Sequence, residues 1–289
     1  MNNLSSKSAF SLVELSISLL IISIIMAGIA GGIKMVTSAR LANARSITAT
    51  SPVPKIEGLI AWYETSRLQS FQPNESLDDG QITAWYDVSP GSIVNKKNTL
   101  IRNTPSTAVR YQLEGINKIP SIYFDGSGKI SIADFYQGTT TQNTIFFVAR
   151  PYALQANTGT VIDSGNGAIT TTSISLVNNG IYANWGSAVS YTTTNCCSTN
   201  ENYIVAFYGN GSSSKSYLNN ATTMTGGANI NPGSSDLQGL TIGADHNNLR
   251  NFTGLISEVI IYNRPLQAQE RKDVMNYLSQ KYGIKVIGI

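Results

Sequence analysis

The chain has 289 residues, a formal net charge of +3 and only 13% charged residues against 42% hydrophobic ones. That balance excludes a disordered polyelectrolyte. With no basic stripe along the chain it also excludes a nucleic-acid binder. Once the first ~55 residues are set aside, the rest is long enough for one large all-β domain.

The amino terminus carries the most specific signal. A short polar stretch, Met1 to Lys7, is followed by Ser8-Ala9-Phe10-Ser11-Leu12-Val13-Glu14-Leu15 and an apolar run that reaches Lys34. Between the two lysines the only charge is Glu14. About 20 apolar residues cross a bilayer, and a carboxylate inside such a run is costly and usually functional. An ordinary signal peptide has an apolar core of only about 7–15 residues. A plain membrane anchor explains the length but not Glu14 beside Phe10.

These residues resemble the type IV prepilin signal. The resemblance implies a leader over residues 1–9, cleavage by prepilin peptidase between Ala9 and Phe10, and N-methylation of Phe10. Ala9 stands where the family usually has Gly. Glu14, fifth in the mature chain, is then expected to pair with the terminal amine of a neighbouring pilin or pseudopilin subunit. A carboxylate in hydrocarbon needs such a cation. Lys34, Arg40 and Arg45 follow the apolar run while Lys7 precedes it. A bare positive-inside count would therefore keep the C-terminal part in the cytoplasm. The prepilin signal implies the opposite: a single pass through the inner membrane with the head outside, then an extracellular or periplasmic filament.

Downstream, good helix formers extend the helix over residues 10–48, weakened near its middle by Gly28, Gly31 and Gly32. Pro52 and Pro54 mark residues 49–56 as a short stiff linker. From Ile56 onward short apolar runs alternate with turn signals. Ile145–Ala149 reads as a strand too apolar to have a wet face. Ile174–Val177 and Ile181–Trp185 read as a hairpin through Asn179-Gly180. Tyr203–Tyr208 with Ser216–Leu218, then Gly239–Gly243 and Leu255–Tyr262, supply further strands. A helix of about 17 residues is expected to open at Pro265 and stop at Gly283, with Val274, Leu278 and Tyr282 on one face.

This pattern predicts a mainly β fold: an antiparallel jelly-roll or β-sandwich head with a C-terminal helix, preceded by the long helix. Four segments resemble the LamG-like, concanavalin A-like jelly rolls of bacterial surface proteins. They are Gly58–Tyr63, Ile82–Ser89, Pro120–Gly126, and Phe252–Leu266 with the helix to Ile284. The head is thereby expected over 57–289. A shared fold implies no particular ligand.

Chemistry in the head is sparse. Glucanases on this fold carry a Glu-x-Asp-x-Glu strand that sets two carboxylates across the scissile bond; the chain has none. Asp78-Asp79 reads as a solvated loop, and the lone His246 as a loop residue. Calcium is the one cofactor considered, with Asp125, Asp163 and Asp245 as scattered candidate ligands and no contiguous acidic loop. Trp185 and Tyr191 are candidate sugar platforms, whereas Trp62 and Trp85 read as core. The adjacent Cys196 and Cys197 are either free thiols or a strained vicinal disulfide. They sit in the loop 192–201, the least fold-like part of the head. The sequons at Asn74, Asn210, Asn220 and Asn251 read as chance in an Asn/Ser/Thr-rich chain.

The expectation is a pilin-like subunit, a minor pilin or tip-proximal adhesin, whose head recognises a surface, a glycan or a protein. The alternative is a type II secretion pseudopilin. A pilin-anchored glycan-active enzyme is disfavoured by the missing carboxylate pair.

Overall fold

A computed structural model describes residues 11–92, 98–102, 108–136, 140–154, 159–165, 172–178, 180–185, 191–192, 196–222 and 236–289. Helix α1 spans Leu12–Ala49. It passes through Gly28, Gly31 and Gly32 without a break, and nothing lies within 4 Å of a Cβ built on any of them. Its first two-thirds are bare: Leu12, Leu20, Ile24, Met26 and Ile33 are all exposed. Its last turns are docked on the head. Ala44 and Thr48 are buried, Arg45 Nε donates to Ser66 O (2.7 Å), and Thr37 Oγ1 donates to Glu114 (2.9 Å).

Segment 49–56, expected as a short stiff linker, is held against the head. Val53 is buried in a short 3-10 turn over Val53–Lys55, Ser51 is buried, and Tyr262 OH donates to Val53 O (3.0 Å). The prolines stiffen it, but burial of Val53 fixes where it lies.

The head contains β1 (Leu59–Glu64), β2 (Gly80–Gln81), β3 (Ala84–Trp85), β4 (Leu100–Arg102), β5 (Val109–Gln112), β6 (Ser121–Asp125), β7 (Ile130–Ile132) and β8 (Asn143–Pro151). After these come β9 (Thr160–Asp163), β10 (Thr172–Val177), β11 (Gly180–Trp185), β12 (Tyr191–Thr192), β13 (Tyr203–Gly209), β14 (Lys215–Leu218), β15 (Leu240–Ile242) and β16 (Thr253–Tyr262). They form two antiparallel sheets. The first runs β14-β13-β8-β16-β6-β5-β2, with β1 also on β16, and the second runs β12-β11-β10-β9-β15-β7-β4-β3. The ten-residue β16 is the spine. β8 lies along one side of it, while β6 and β1 share the other.

Between the sheets lies the main core, where Ile145, Phe147, Val205, Phe207, Val259 and Ile261 meet Ile162, Ile174, Leu176, Ile181, Leu240 and Ile242. The alternate residues of the first sheet, among them Phe146, Val148, Ile204, Ile260 and Tyr262, face outward into a second core. That is why Ile145–Ala149 has no wet face: each of its sides meets an apolar layer. The outer layer is helix α2 (Ala268–Tyr282), with the end of α1 beside it. α2 starts three residues after Pro265, because Gln267 and Glu270 form its capping box. It ends where expected, on the left-handed Gly283 (φ +61°).

Candidate functional site

The amino-terminal end of α1 is built around Ser11 and Glu14. Ser11 Oγ accepts from Glu14 N (3.2 Å), and Ser11 N donates to Glu14 Oε2 (2.9 Å). The sequence reading gives Glu14 a partner in another subunit and misses this local one. Ser-x-x-Glu before an apolar run is the capping-box signature that reveals it. The carboxylate also sits favourably at the positive end of the helix dipole. Thus Glu14 is the helix cap of a free chain, and any intersubunit partner must draw the carboxylate from that role or share it. Ala9 and Phe10, the expected cleavage pair, lie outside the described residues.

Beneath α2 the fold assembles an ionic cluster that the sequence does not announce. β1 and β16 set Glu64 opposite Glu258. A bulge at Ser257 shifts the alternation of β16, so Glu258 falls on the outer face with Ile260 and Tyr262. Lys281 of α2 reaches between the two glutamates, 2.8 Å from Glu64 Oε2 and 2.8 Å from Glu258 Oε2. All three side chains are fully buried. Trp62 Nε1 and Tyr277 OH donate to Glu258 Oε1 (2.7 Å each), and Tyr282 OH donates to Oε2 (2.9 Å). Ser66 donates to Glu64 through both its N–H and its hydroxyl. Burial alone would push the Glu64 carboxyl up. The Lys281 charge and the hydrogen bonds from Lys281 and Ser66 outweigh it and hold the group below its ordinary value. Burial likewise works against the Lys281 ammonium, and the two glutamates still hold its pKa above the usual lysine range. The carboxylate pair is sealed, neutralised in part by one cation and unreachable by substrate. Its two ion pairs with Lys281 tie α2 to β1 and β16.

The second sheet carries a smaller polar lock. His246 reads from the sequence as a loop residue. The loop 243–252 instead folds its side chain in, to 9% exposure, with Nδ1 3.2 Å from Asp163 Oδ1. Asn247 Nδ2 lies 2.9 Å from Nε2. An amide can only donate there, so the hydrogen-bond network assigns the ring proton to Nδ1, facing Asp163. Gly165 makes room: a Cβ there would meet His246 Nδ1 at 2.3 Å. Burial, opposed by the Gly165 N–H and by His246, raises the Asp163 carboxyl above its ordinary value. Lys129 Nζ donates to His246 O (2.5 Å) and adds a positive charge near Asp163 and Asp245. Asp245 Oδ1 accepts from Leu249 N (2.6 Å) and Arg250 N (3.3 Å), while Asp125 Oδ1 accepts from Ser127 N (2.8 Å) and Oγ (2.7 Å). Each of the three calcium candidates accepts from protein donors through Oδ1, while Asp163 Oδ2 is buried without a partner among the described residues. Among the described residues no three His, Cys, Asp or Glu side chains converge as a metal site would require.

Residues 124–270, just over half of the chain, match the profile of the concanavalin A-like lectin/glucanases superfamily. The chain belongs to that superfamily. At the other end, residues 4–30 match the prokaryotic N-terminal methylation motif. No characterised relative matches the chain by sequence. Among solved structures it is similar to domain 4 of AbnA, an extracellular arabinanase from Geobacillus stearothermophilus solved with arabinotriose. That likeness has 18% identity and a TM-score of 0.53, and covers 75% of this chain and 98% of that one. It is also similar to the sialidase of Trypanosoma rangeli in complex with sialic acid, at 16% identity and TM-score 0.51, covering 78% of this chain and 33% of that one. A third is the binding domain of botulinum neurotoxin DC in complex with SialylT, at 15% identity and TM-score 0.50, covering 77% and 52%. At these identities the likeness concerns the fold. The chain spans about a third of the sialidase and about half of the toxin domain.

Within this concanavalin A-like head the other candidates fall in different places. Trp62 and Trp85 are core, at 1% and 0% exposure. Trp185 and Tyr191 lie on β11 and β12 at one edge of the second sheet, two register positions apart, because Ala183 pairs with Tyr191; their side chains lie outside the described residues. Cys196 and Cys197 place their sulfurs 3.2 Å apart, and Cys197 adopts a left-handed φ of +71°. The Cys196 thiol, then burial, pushes the Cys197 thiol up. Asp79, expected in a solvated loop, is exposed and pairs with Arg110 Nη1 at 3.0 Å.

Proposed function

We propose that the chain is a pilin-like subunit whose superfamily head binds a glycan. The observation that carries this reading is the joining of a methylation motif over residues 4–30 to a bare apolar α1 and a lectin-type sandwich. The most apolar stretch of α1 has a mean hydropathy of 2.4, enough to hold the subunit in a bilayer before assembly. Residues 1–9 would be removed by prepilin peptidase. The helix from Phe10 would then join the core of the filament, and the head, from residue 57, would stand outside the cytoplasm. The two structural neighbours solved with an arabinose oligosaccharide and with SialylT support a sugar as the ligand class. A binding rather than hydrolytic role is supported by the fate of the facing carboxylates Glu64 and Glu258, which lie under α2 with Lys281 between them.

Intact-mass analysis of sheared surface filaments tests this reading. The expected product begins at Phe10 and carries one methyl group. A chain still starting at Met1, in a host with active prepilin peptidase, would overturn it. Presence only in the envelope, never in sheared filaments, would favour a secretion pseudopilin. In the same assay Glu14→Ala should remain in the membrane yet enter filaments about tenfold less, the effect of losing ~1.4 kcal/mol of docking energy. Ser11→Ala removes the cap and keeps the carboxylate. It should cost about 1 kcal/mol of helix-end stability and leave incorporation near wild type. Equal defects in both variants would mean that Glu14 acts only as a cap.

A further inference from the structure

Where the α1–β1 connector meets the rim of the sandwich, a groove of about 830 Å³ opens, lined by Pro54, Ile56, Asn98, Asp134, Tyr136 and Asn263 among others. Its size lies within the range of small-molecule sites, roughly 300–1,000 Å³. No candidate from the sequence falls in it, because its walls come from four separated parts of the chain.

Its polar groups are held in place. Asn263 Nδ2 donates to Tyr136 OH (3.2 Å), so the phenol keeps its own hydrogen to donate outward. Asn98 Nδ2 donates to Ile60 O and to Asp87 Oδ2 (3.2 Å each), which fixes the amide and leaves its side-chain oxygen to accept. Gly58 has φ +86°, and a Cβ on it would meet Asn263 Oδ1 at 2.7 Å, so a glycine lets the connector close onto the groove. Tyr136 is half-buried. It follows Phe135, which is 3% exposed and whose N–H donates to Gln238 O (3.0 Å). The ring is therefore carried on an anchored segment with one side partly open. Asp134 is exposed and brings the only charge among the described lining residues.

An aromatic ring beside fixed donors and acceptors suits a sugar, whose hydroxyls both donate and accept and whose C–H face lies on a ring. The single charge is negative. Among the described lining residues, an anionic sugar would meet Asp134 with no cation to offset the repulsion. We propose that this groove is the sugar subsite of the head and that it takes a neutral oligosaccharide, not a sialylated or sulfated one. The assignment rests on the glycan-binding reading above.

The test uses the full-length chain in detergent on an array of neutral oligosaccharides, arabinotriose among them, beside sialylated and sulfated ones. Binding to a neutral member is expected, followed by titration of that member. Tyr136→Ala and Asn263→Ala should each weaken it at least tenfold, and Tyr136→Phe severalfold, with thermal melts and filament incorporation unchanged. Wild-type protein that binds no sugar on the array overturns the glycan-binding reading and the subsite with it. Wild-type binding that survives Tyr136→Phe and Asn263→Ala undiminished leaves that reading standing and overturns the subsite. A preference for sialylated or sulfated members overturns the neutral assignment. Loss of filament incorporation with sugar binding intact would make the groove an assembly contact, which also overturns the proposal.

Discussion

A chain ending before Pro265 should have no cooperative melt in its head. Val274, Met275, Tyr277, Leu278 and Tyr282 of α2 are buried. They cover Trp62, Phe146, Val148, Ile204, Ile260 and Tyr262 on the outer face of the first sheet. Burying a large apolar side chain is worth ~1.5–3 kcal/mol. Five of them amount to about 10 kcal/mol, which is the size of the whole stability of a typical domain, roughly 5–15 kcal/mol. Truncation also strips the cover from Glu64 and Glu258, and it exposes an apolar sheet face that invites aggregation. Circular dichroism melts of the intact and truncated chains in the same detergent decide the matter. A truncated chain that melts within a few degrees of the intact one would show α2 to be an appendage.

Lys281→Met should be the most damaging single substitution at a charged position. It leaves two glutamates facing each other in a site with no exposure. Arg67 is the nearest other cation to Glu64, at 3.9 Å and from a partly exposed position. Removing one partner of a buried ion pair costs about 3–5 kcal/mol. Lys285→Met, at an exposed site just past α2, should cost within about 0.5 kcal/mol. Denaturant melts of the two variants give the comparison. The expectation fails if Lys281→Met is no worse than Lys285→Met.

The same cluster sets two pH limits. Glu64 has a folded pKa below its unfolded value. Its contribution is therefore complete above the ordinary glutamate range and is lost as pH falls through the depressed folded value. Lys281 has a folded pKa above its unfolded value. Its contribution is complete below the ordinary lysine range and is lost as pH rises through the raised folded value. Wild-type stability should therefore hold level across neutral pH and fall at both extremes. Lys281→Met should lose the alkaline limb, and a mutant that keeps that limb would locate it in another group.

Features with local causes are legible along the chain. The bare helix from Leu12, the hairpin of β10 and β11, and the stop of α2 at Gly283 each have their causes within a few residues of one another. The same holds for the methylation motif and for the superfamily landmarks, whose Trp62, Trp85 and Tyr262 prove to be core. A local signal has a local reach: Pro52 and Pro54 mark a short stiff linker, and only the burial of Val53 shows where it docks. The glutamates are invisible for a different reason. Glu64 lies near the start of the head and Glu258 near its end, and each reads as an ordinary strand residue. The β1–β16 register, the Ser257 bulge and the placing of α2 have to act together before Lys281 can reach both. The His246–Asp163 contact and the groove beside Tyr136 have the same origin. Periodicity and capping are short-range, so the order of residues alone settles which segments are helix, strand and membrane-seeking. Which polar groups meet depends instead on pairing register and on the stacking of three layers, and burial across the whole head sets both.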